Sequence, residues 1–288
     1  MEIKISIIVA VYNRMNYLKN MLLALERQKL KNFEVVIADD GSKENIEDYK
    51  ELINNLSYKV RHVYQEDDGF RLSASRNNGI RNARGEFLLF LDQDVLMDEN
   101  FISEVTENIR ENKILKINAL YLDKERSEII EKNISKNNNF DYEYVEEILE
   151  KKDFKEIRSK DYRAIRRNIL YALKLNRRGA KIIGLGIGGY KKDFLKINGF
   201  DERYEGWGYE DDDVGNRFYA LGLGVKNIKF SKPVVHMWHR DNSSKAHSPN
   251  ESYYYKRKKE IFKTKDYRCI YGVENKLKDE EITVKELN

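Results

Sequence analysis

What this 288-residue sequence lacks narrows its meaning before any motif is considered. It has one cysteine, Cys269, so no internal disulfide can form; a disulfide-stapled scaffold is excluded and a reducing compartment fits. The two prolines, Pro233 and Pro249, both fall late, so proline marks no linker in the long stretch before them. No apolar run approaches the roughly 20 residues that cross a bilayer, and the first apolar run starts almost at once without a basic leader. A cytoplasmic protein is expected, with peripheral contact at the inner membrane face left open. Charge of one sign is also missing: 53 Lys and Arg stand against 49 Asp and Glu, leaving +4, too weak a field to argue for nucleic acid.

What is present suits a large α/β domain or two smaller units. The runs ISIIVAVY and FLLFLD must be buried somewhere, which excludes a wholly disordered chain. The opening KISIIVAVYN, from Lys4 to Asn13, reads as a central parallel strand, apolar on both faces. NYLKNMLLALERQ follows with Leu18, Met21, Leu22 and Leu25 at helical spacing. FEVVIADD and YKVRHVYQ supply two more strands, and EFLLFLDQDVLMDENF a near-continuous fourth. Strand, helix, strand, helix begins a doubly wound sheet, in which ligands sit beyond the carboxyl ends of the strands.

Three clusters of chemistry-bearing residues stand out. Asp92-Gln93-Asp94 ends the fourth strand; if the chain stays extended, both carboxylates can approach one hard cation, and otherwise the triplet is a solvated turn. GFDERYEGWGYEDDDVGNRFYALG sets Glu210, Asp211, Asp212 and Asp213 behind Trp207 and its flanking glycines. Four adjacent acids are costly near a core unless paired, capping a helix or touching a ligand, and a helix N-terminus accounts for one or two of them. His236 and His239 lie three apart in KPVVHMWHRD, either a buried pair in an aromatic core or, with Asp94, a set suited to Mn²⁺. His62 sits on a strand and reads as structural, whereas His247 falls in a Ser, Asn and Pro rich loop with its role open.

SIIVAVYNR, ADDGS, GFRLSASRNNGI and FLDQD resemble the nucleotide-sugar-binding half of the family 2 glycosyltransferases of GT-A fold. WGYEDDDVGNRF resembles the acceptor-side motif of β-1,4-galactosyltransferases and bacterial chondroitin-polymerase-type transferases. The fold implied is α/β, a Rossmann-like, mostly parallel central sheet flanked by helices, with an inserted helical segment. Residues 1–110 would be the donor half, 121–180 the inserted charged helices, 181–245 the acceptor and catalytic half, and 246–288 a basic extension.

The resemblance also implies roles. Asp39 or Asp40 would receive the nucleobase, and Asp68, Arg71 and Arg76 would line the nucleotide. Asp92 would lie near the ribose or metal and Asp94 on the metal. Asp211 would be the catalytic base, with Glu210 beside it on the acceptor sugar, and Trp207 and Asp212 would complete the acceptor side. His239 would be the metal histidine; three residues before it, where animal members have a methionine ligand, stands His236. The implied activity is an inverting, metal-dependent transfer of a hexose or N-acetylhexosamine from a UDP-sugar to a glycan hydroxyl, using Mn²⁺ or Mg²⁺. The acceptor would be a glycan or lipid-linked glycan, and the product β-linked. The competing classes are a noncatalytic sugar-binding scaffold, which would tolerate loss of Asp211, and a retaining transferase or nucleotidyltransferase, which gives no reason for WGYEDDD.

Two segments lie outside the motifs. RAIRRNILYALKLNRR has apolar residues on one side and arginines on the other, and is either a solvated helical hairpin or an acceptor-binding or lipid-facing surface. YYYKRKKEIFK has the composition of an interfacial helix and equally that of a dimer contact.

Overall fold

The computed structural model describes residues 4–240 and 248–288, so His247 lies outside the described residues. Along β1 (Ile5–Val11) the side chains divide between two cores. Ile5, Ile7, Val9 and Val11 join the core under α1 (Met15–Glu26), whereas Ile8 joins the core on the other face. The same alternation runs through β2 (Phe33–Asp39), where Val35 and Ile37 face one way and Val36 and Ala38 the other. Burial on both faces is why these strands read as continuous apolar runs; each fully buried Val, Ile or Leu contributes about 2 kcal/mol.

A short helix α2 (Lys50–Asn54), β3 (Lys59–Gln65), α3 (Leu72–Asn82) and β4 (Phe87–Asp92) complete the first half. The chain continues through β5 (Val95–Leu96), α4 (Phe101–Asn108), β6 (Lys113–Lys116) and β7 (Ala119–Tyr121). Three helices follow, α5 (Lys124–Asn137), α6 (Tyr142–Ile148) and α7 (Lys151–Ala172). Then come β8 (Gly186–Tyr190), α8 (Lys191–Lys196), α9 (Glu210–Ala220), β9 (Gly224–Asn227), β10 (Val234–His236), α10 (Glu251–Thr264) and β11 (Ile282–Glu286).

Among the described residues the main sheet has the order β11-β3-β2-β1-β4-β8-β6-β9. The four strands β3, β2, β1 and β4 are mutually parallel, as are β6 and β9, while β8 runs antiparallel to both its neighbours and β11 antiparallel to β3. The sheet is therefore mixed. β1 has β2 on one side and β4 on the other, so a crevice opens at their carboxyl ends.

A second sheet, β5-β10-β7, gathers the metal-type residues. β10 pairs antiparallel with β5 and parallel with β7, in a register that sets His236 beside Val95 and Tyr121. The amide of Met237 donates to the Asp94 carbonyl at 2.8 Å, locking the histidine strand to the turn after β4.

The amphipathic C-terminal segment packs as α10 against α9, burying Tyr254, Arg257 and Ile261. The chain then returns across the molecule to add β11 at the sheet edge. Among the described residues no helix is long and apolar enough to cross a membrane.

Candidate active site

The acids of EDDD do not act as one cluster. Successive residues of an α-helix point about 100° apart, so four in a row cannot share one face. On α9, Asp213 turns into the core and pairs with Arg217 one turn on, at 2.6 Å, both side chains fully buried. Asp212 is buried against Arg178, at 2.7 Å, and the Tyr254 hydroxyl, so both its carboxylate oxygens have partners within the protein. Glu210 and Asp211 are left for the cleft. All four sit in the first turn, where the helix dipole favours negative charge.

Asp211 is held from two sides: the Gly184 amide donates to it at 2.8 Å and the Asp212 amide at 2.6 Å. Desolvation pushes its carboxyl above the usual range, against the attraction of Lys181 and Arg76. Glu210 is pushed up to about 7 by burial and by the Asp211 charge. Arg76, almost wholly buried on α3, reaches Glu210 at 3.3 Å and Asp92 at 3.4 Å. A Cβ at Gly184 would lie 2.7 Å from the Arg76 guanidinium, so glycine there lets the loop pass directly over it. Asp92 is likewise pushed up by desolvation, and it senses Asp94, His236 and Asp211, so the carboxylates adjoin one another.

Asp94 belongs to a different set. The chain turns after β4, sending Asp92 toward Arg76 and Asp94 toward the histidines, rather than keeping both carboxylates on one extended strand. His236 Nε2 lies 3.1 Å from Asp94 Oδ1 and His239 Nε2 lies 3.2 Å from Oδ2. Nδ1 of His236 is 2.9 Å from the Met237 carbonyl and Nδ1 of His239 is 3.3 Å from the Arg240 carbonyl. Carbonyls only accept, so each ring is assigned a proton at Nδ1, and Nε2 is the nitrogen that faces Asp94 as a potential ligand atom. Asp94 Oδ1 is buried and accepts no hydrogen bond.

Two imidazole nitrogens and a carboxylate within 4.8 Å of one another fit a cation. Two imidazoles and a carboxylate suit Mn²⁺ better than Mg²⁺, which prefers oxygen. The Arg14 guanidinium, 3.3 Å from Asp94, supplies partial compensation.

The residues expected around the nucleotide separate into two groups. Asp39 accepts from the Ser42 amide and lies 2.9 Å from His62 Nε2, so the strand histidine orients an acid at the cleft. Asp40 accepts from the Arg71 amide at 2.7 Å and Gln65 at 2.6 Å, and burial pushes it up to about 6. The Arg71 side chain, by contrast, turns to Glu280 at 2.6 Å, and Asp68 pairs with Lys278 at 2.7 Å. Both partners lie on the returning C-terminal segment. Trp207 is half-exposed between Gly206 and Gly208, whose φ angles of 73° and 103° hold the loop in a left-handed path.

The model of glycosyl transferase family 2 matches residues 6–173, more than half of the chain. The chain belongs to glycosyl transferase family 2. A second model, described as the N-terminal domain of galactosyltransferase, matches residues 165–240, so the two meet within α7. This family 2 chain is 31% identical over 242 residues to a chondroitin synthase of Pasteurella multocida, covering 79% of this chain and 24% of that one. It is 28% identical over 223 residues to a validoxylamine A glucosyltransferase of Streptomyces hygroscopicus, covering 76% and 52%. The chain thus spans about a quarter and about half the length of these relatives.

Among solved structures, S. aureus TarS 1–349 in complex with UDP-GlcNAc superposes with a TM-score of 0.58 at 17% identity, covering 94% of this chain and 68% of that one. A mannosyltransferase from Pyrobaculum calidifontis in complex with GDP-Man and Mn²⁺ gives 0.54 at 13%, covering 84% and 59%. At such identities the likeness establishes the fold, which is GT-A.

Several residues of this family 2 site carried no signal in the sequence. Gln93, the middle of the DxD, accepts from the Tyr12 amide and donates to the carbonyls of Asn13 and Arg14, tying the β1 loop to the β4 turn. The Tyr121 ring lies 4.7 Å from that of His236, tilted by 36°, only because β7 and β10 are neighbours. Asn13 and Arg14 are both left-handed, with φ of 53° and 55°; asparagine tolerates that region, but nothing in the sequence announces it for Arg14.

Proposed function

We propose that the protein is an inverting glycosyltransferase that moves a hexose or N-acetylhexosamine from a UDP-sugar to a glycan hydroxyl, giving a β-linked product. The observation that supports this most directly is that Asp92 neighbours both the desolvated Asp211 carboxylate and the cluster of Asp94, His236 and His239. UDP as the nucleotide is favoured by the UDP-GlcNAc bound to the TarS structure of the same fold.

In this reading Asp211 accepts the proton of the acceptor hydroxyl. The oxygen attacks the anomeric carbon from the face opposite the diphosphate, the bond to the diphosphate oxygen breaks, and UDP departs with the electron pair. A carboxylate above its usual pKa is a stronger base, and the Gly184 amide fixes its direction. Asp94, His236 and His239 would hold a divalent cation, which when bound offsets the charge developing on the leaving diphosphate. Arg76 keeps Asp92 and Glu210 apart from full ionic repulsion, so that the acids can crowd one cleft. Asp39 and Asp40, at the end of β2, are assigned to the nucleobase, and Trp207 offers a flat apolar face to a sugar ring.

Asp211→Asn tests the reading. An amide keeps an acceptor for Gly184 but takes no proton, so UDP release in the presence of donor and acceptor should nearly vanish while UDP-sugar binding persists. Unchanged turnover would remove Asp211 from the chemistry.

A further inference from the structure

Beside the cleft runs a groove whose charge the transfer chemistry does not use. It is a cavity of about 610 Å³ between α7 and the loop before β8, lined by Lys116, Lys160, Arg163, Arg166, Arg167 and Lys181. A second cavity of about 510 Å³ shares Arg167 and Asn176 with the first and adds Arg177, Arg178, Lys258 and Lys259. No carboxylate lines either cavity, in a chain with 49 acids against 53 Lys and Arg. Arg163, Arg166, Arg167 and Lys181 have no carboxylate partner among the described residues. Lys160 and Arg178 pair with Glu156 and Asp212, but the cations of the groove outnumber the carboxylates within reach, and the excess marks a track for an anion.

Lys116 makes the groove more than a basic surface. The last residue of β6, it is only 5% exposed, lines the cavity, and its ammonium has no hydrogen-bond partner. Leaving a buried ammonium unpaired is costly, and burial lowers its pKa to about 8 against the attraction of Asp211 and Asp161. An arriving anion would supply the missing partner.

The groove adjoins the proposed chemistry at two points. Ile183 and Leu185 line it, and between them Gly184 donates to Asp211. Tyr121 also lines it, with one face against His236 and Lys160 4.8 Å from its ring.

We propose that this groove binds a negatively charged stretch of the acceptor glycan, its carboxylate or phosphate groups lying on Lys116, Arg163, Arg167 and Lys181 while the reacting hydroxyl reaches Asp211. This rests on the transferase reading, and it narrows the acceptor to an anionic carbohydrate. The track extends over Arg177, Lys258 and Lys259, so affinity rises with chain length.

The test measures binding of three hexamers by calorimetry at several salt concentrations: alternating glucuronate and N-acetylglucosamine, glycerol phosphate, and neutral cellohexaose. At least one anionic hexamer should bind about tenfold or more tighter than cellohexaose and weaken steeply with salt, and which one binds identifies carboxylate or phosphate as the charge. Arg163→Gln with Arg167→Gln, and separately Lys116→Met, should each weaken that binding about fivefold. Lys116→Met should also raise the thermal unfolding midpoint, since it replaces an unpaired buried cation by an apolar chain of similar length; a merely structural lysine would lower it.

Equal binding of cellohexaose, no binding of either anionic hexamer, or anionic binding untouched by the substitutions would overturn the assignment. So would phosphatidylglycerol vesicles binding in place of the hexamers and being lost in the same variants, which would make the groove a lipid-headgroup site. UDP-sugar binding by the unsubstituted protein separates the two readings. Donor binding without anionic hexamer binding sinks the groove alone, while the reverse leaves the groove and sinks the transferase.

Discussion

Nε2 of His236 lies 3.1 Å from Oδ1 of Asp94, while Nδ1 on the far side of the ring lies 2.9 Å from the Met237 carbonyl. A lone pair facing a buried carboxylate is unfavourable in isolation and favourable around a cation. The arrangement is built by β-sheet register: β10 pairs with β5, and Asp94 immediately precedes β5.

Asp94→Ala and His236→Ala should each reduce Mn²⁺ affinity about tenfold or more, read from free Mn²⁺ by electron paramagnetic resonance. Arg14→Gln, which removes the competing guanidinium 3.3 Å from Asp94, should tighten it. A titration identical in all four proteins would show that the cluster binds no metal.

Substitution of Asp211 by Asn should lower kcat about a hundredfold or more, with the donor KM changed by less than about threefold, because general-base catalysis supplies about 10²–10⁴ in rate. Loss of donor affinity in parallel with kcat would make Asp211 a binding residue instead.

The base must be ionised to work, so kcat/KM should fall as pH drops. Because desolvation raises Asp211, that acid limb should lie above the ordinary aspartate value of 3.8. Glu210, pushed up to about 7 in part by the Asp211 charge, keeps its proton over an acid limb that lies lower, so Glu210→Gln should leave that limb in place. A limb that moves to lower pH in Glu210→Gln would show that Glu210 is ionised there and contradict this assignment.

How much of this site was legible in the sequence depended on distance along the chain. β1, β2 and β4 were visible because burial on both faces leaves continuous apolar runs, and the acids at their ends followed. The division of Glu210 and Asp211 from Asp212 and Asp213 was not, because it turns on Arg178, Tyr254 and Arg217 waiting at different angles around α9. The resemblance implies Arg71 and Asp68 along the nucleotide; that their side chains also pair with Glu280 and Lys278 was not legible, because those partners lie some 210 residues away on a segment with no motif. β8, with Gly186, Gly188 and Gly189, carries little of the apolar pattern of a strand, and only its neighbours explain it: a Cβ at Gly186 would meet Ile117 at 2.5 Å.

Arg217→Leu should cost about 3–5 kcal/mol of stability by chemical denaturation, since it leaves buried Asp213 and the carbonyls of Ile197 and Gly199 without their cation. The double substitution with Asp213→Leu should recover part of the loss. A single variant as stable as the parent would mean that the pair is dispensable.

Asp40, raised from 3.8 to about 6, favours the folded state when protonated, so its contribution is full at pH below about 4 and is lost as pH rises through 6. Asp40→Asn should remove that dependence and raise stability above pH 7, by at most about 3 kcal/mol. Denaturation midpoints from pH 4 to 8 that run parallel in the two proteins would contradict this.

The central claim is a metal-dependent nucleotide-sugar site in a GT-A fold, and calorimetry with a panel of nucleotide sugars tests it most directly, each titrated with Mn²⁺ and again with EDTA. The account predicts micromolar binding of a UDP-sugar in Mn²⁺ that weakens about tenfold or more in EDTA. Binding of no nucleotide sugar in either condition, or equal binding in both, would contradict it.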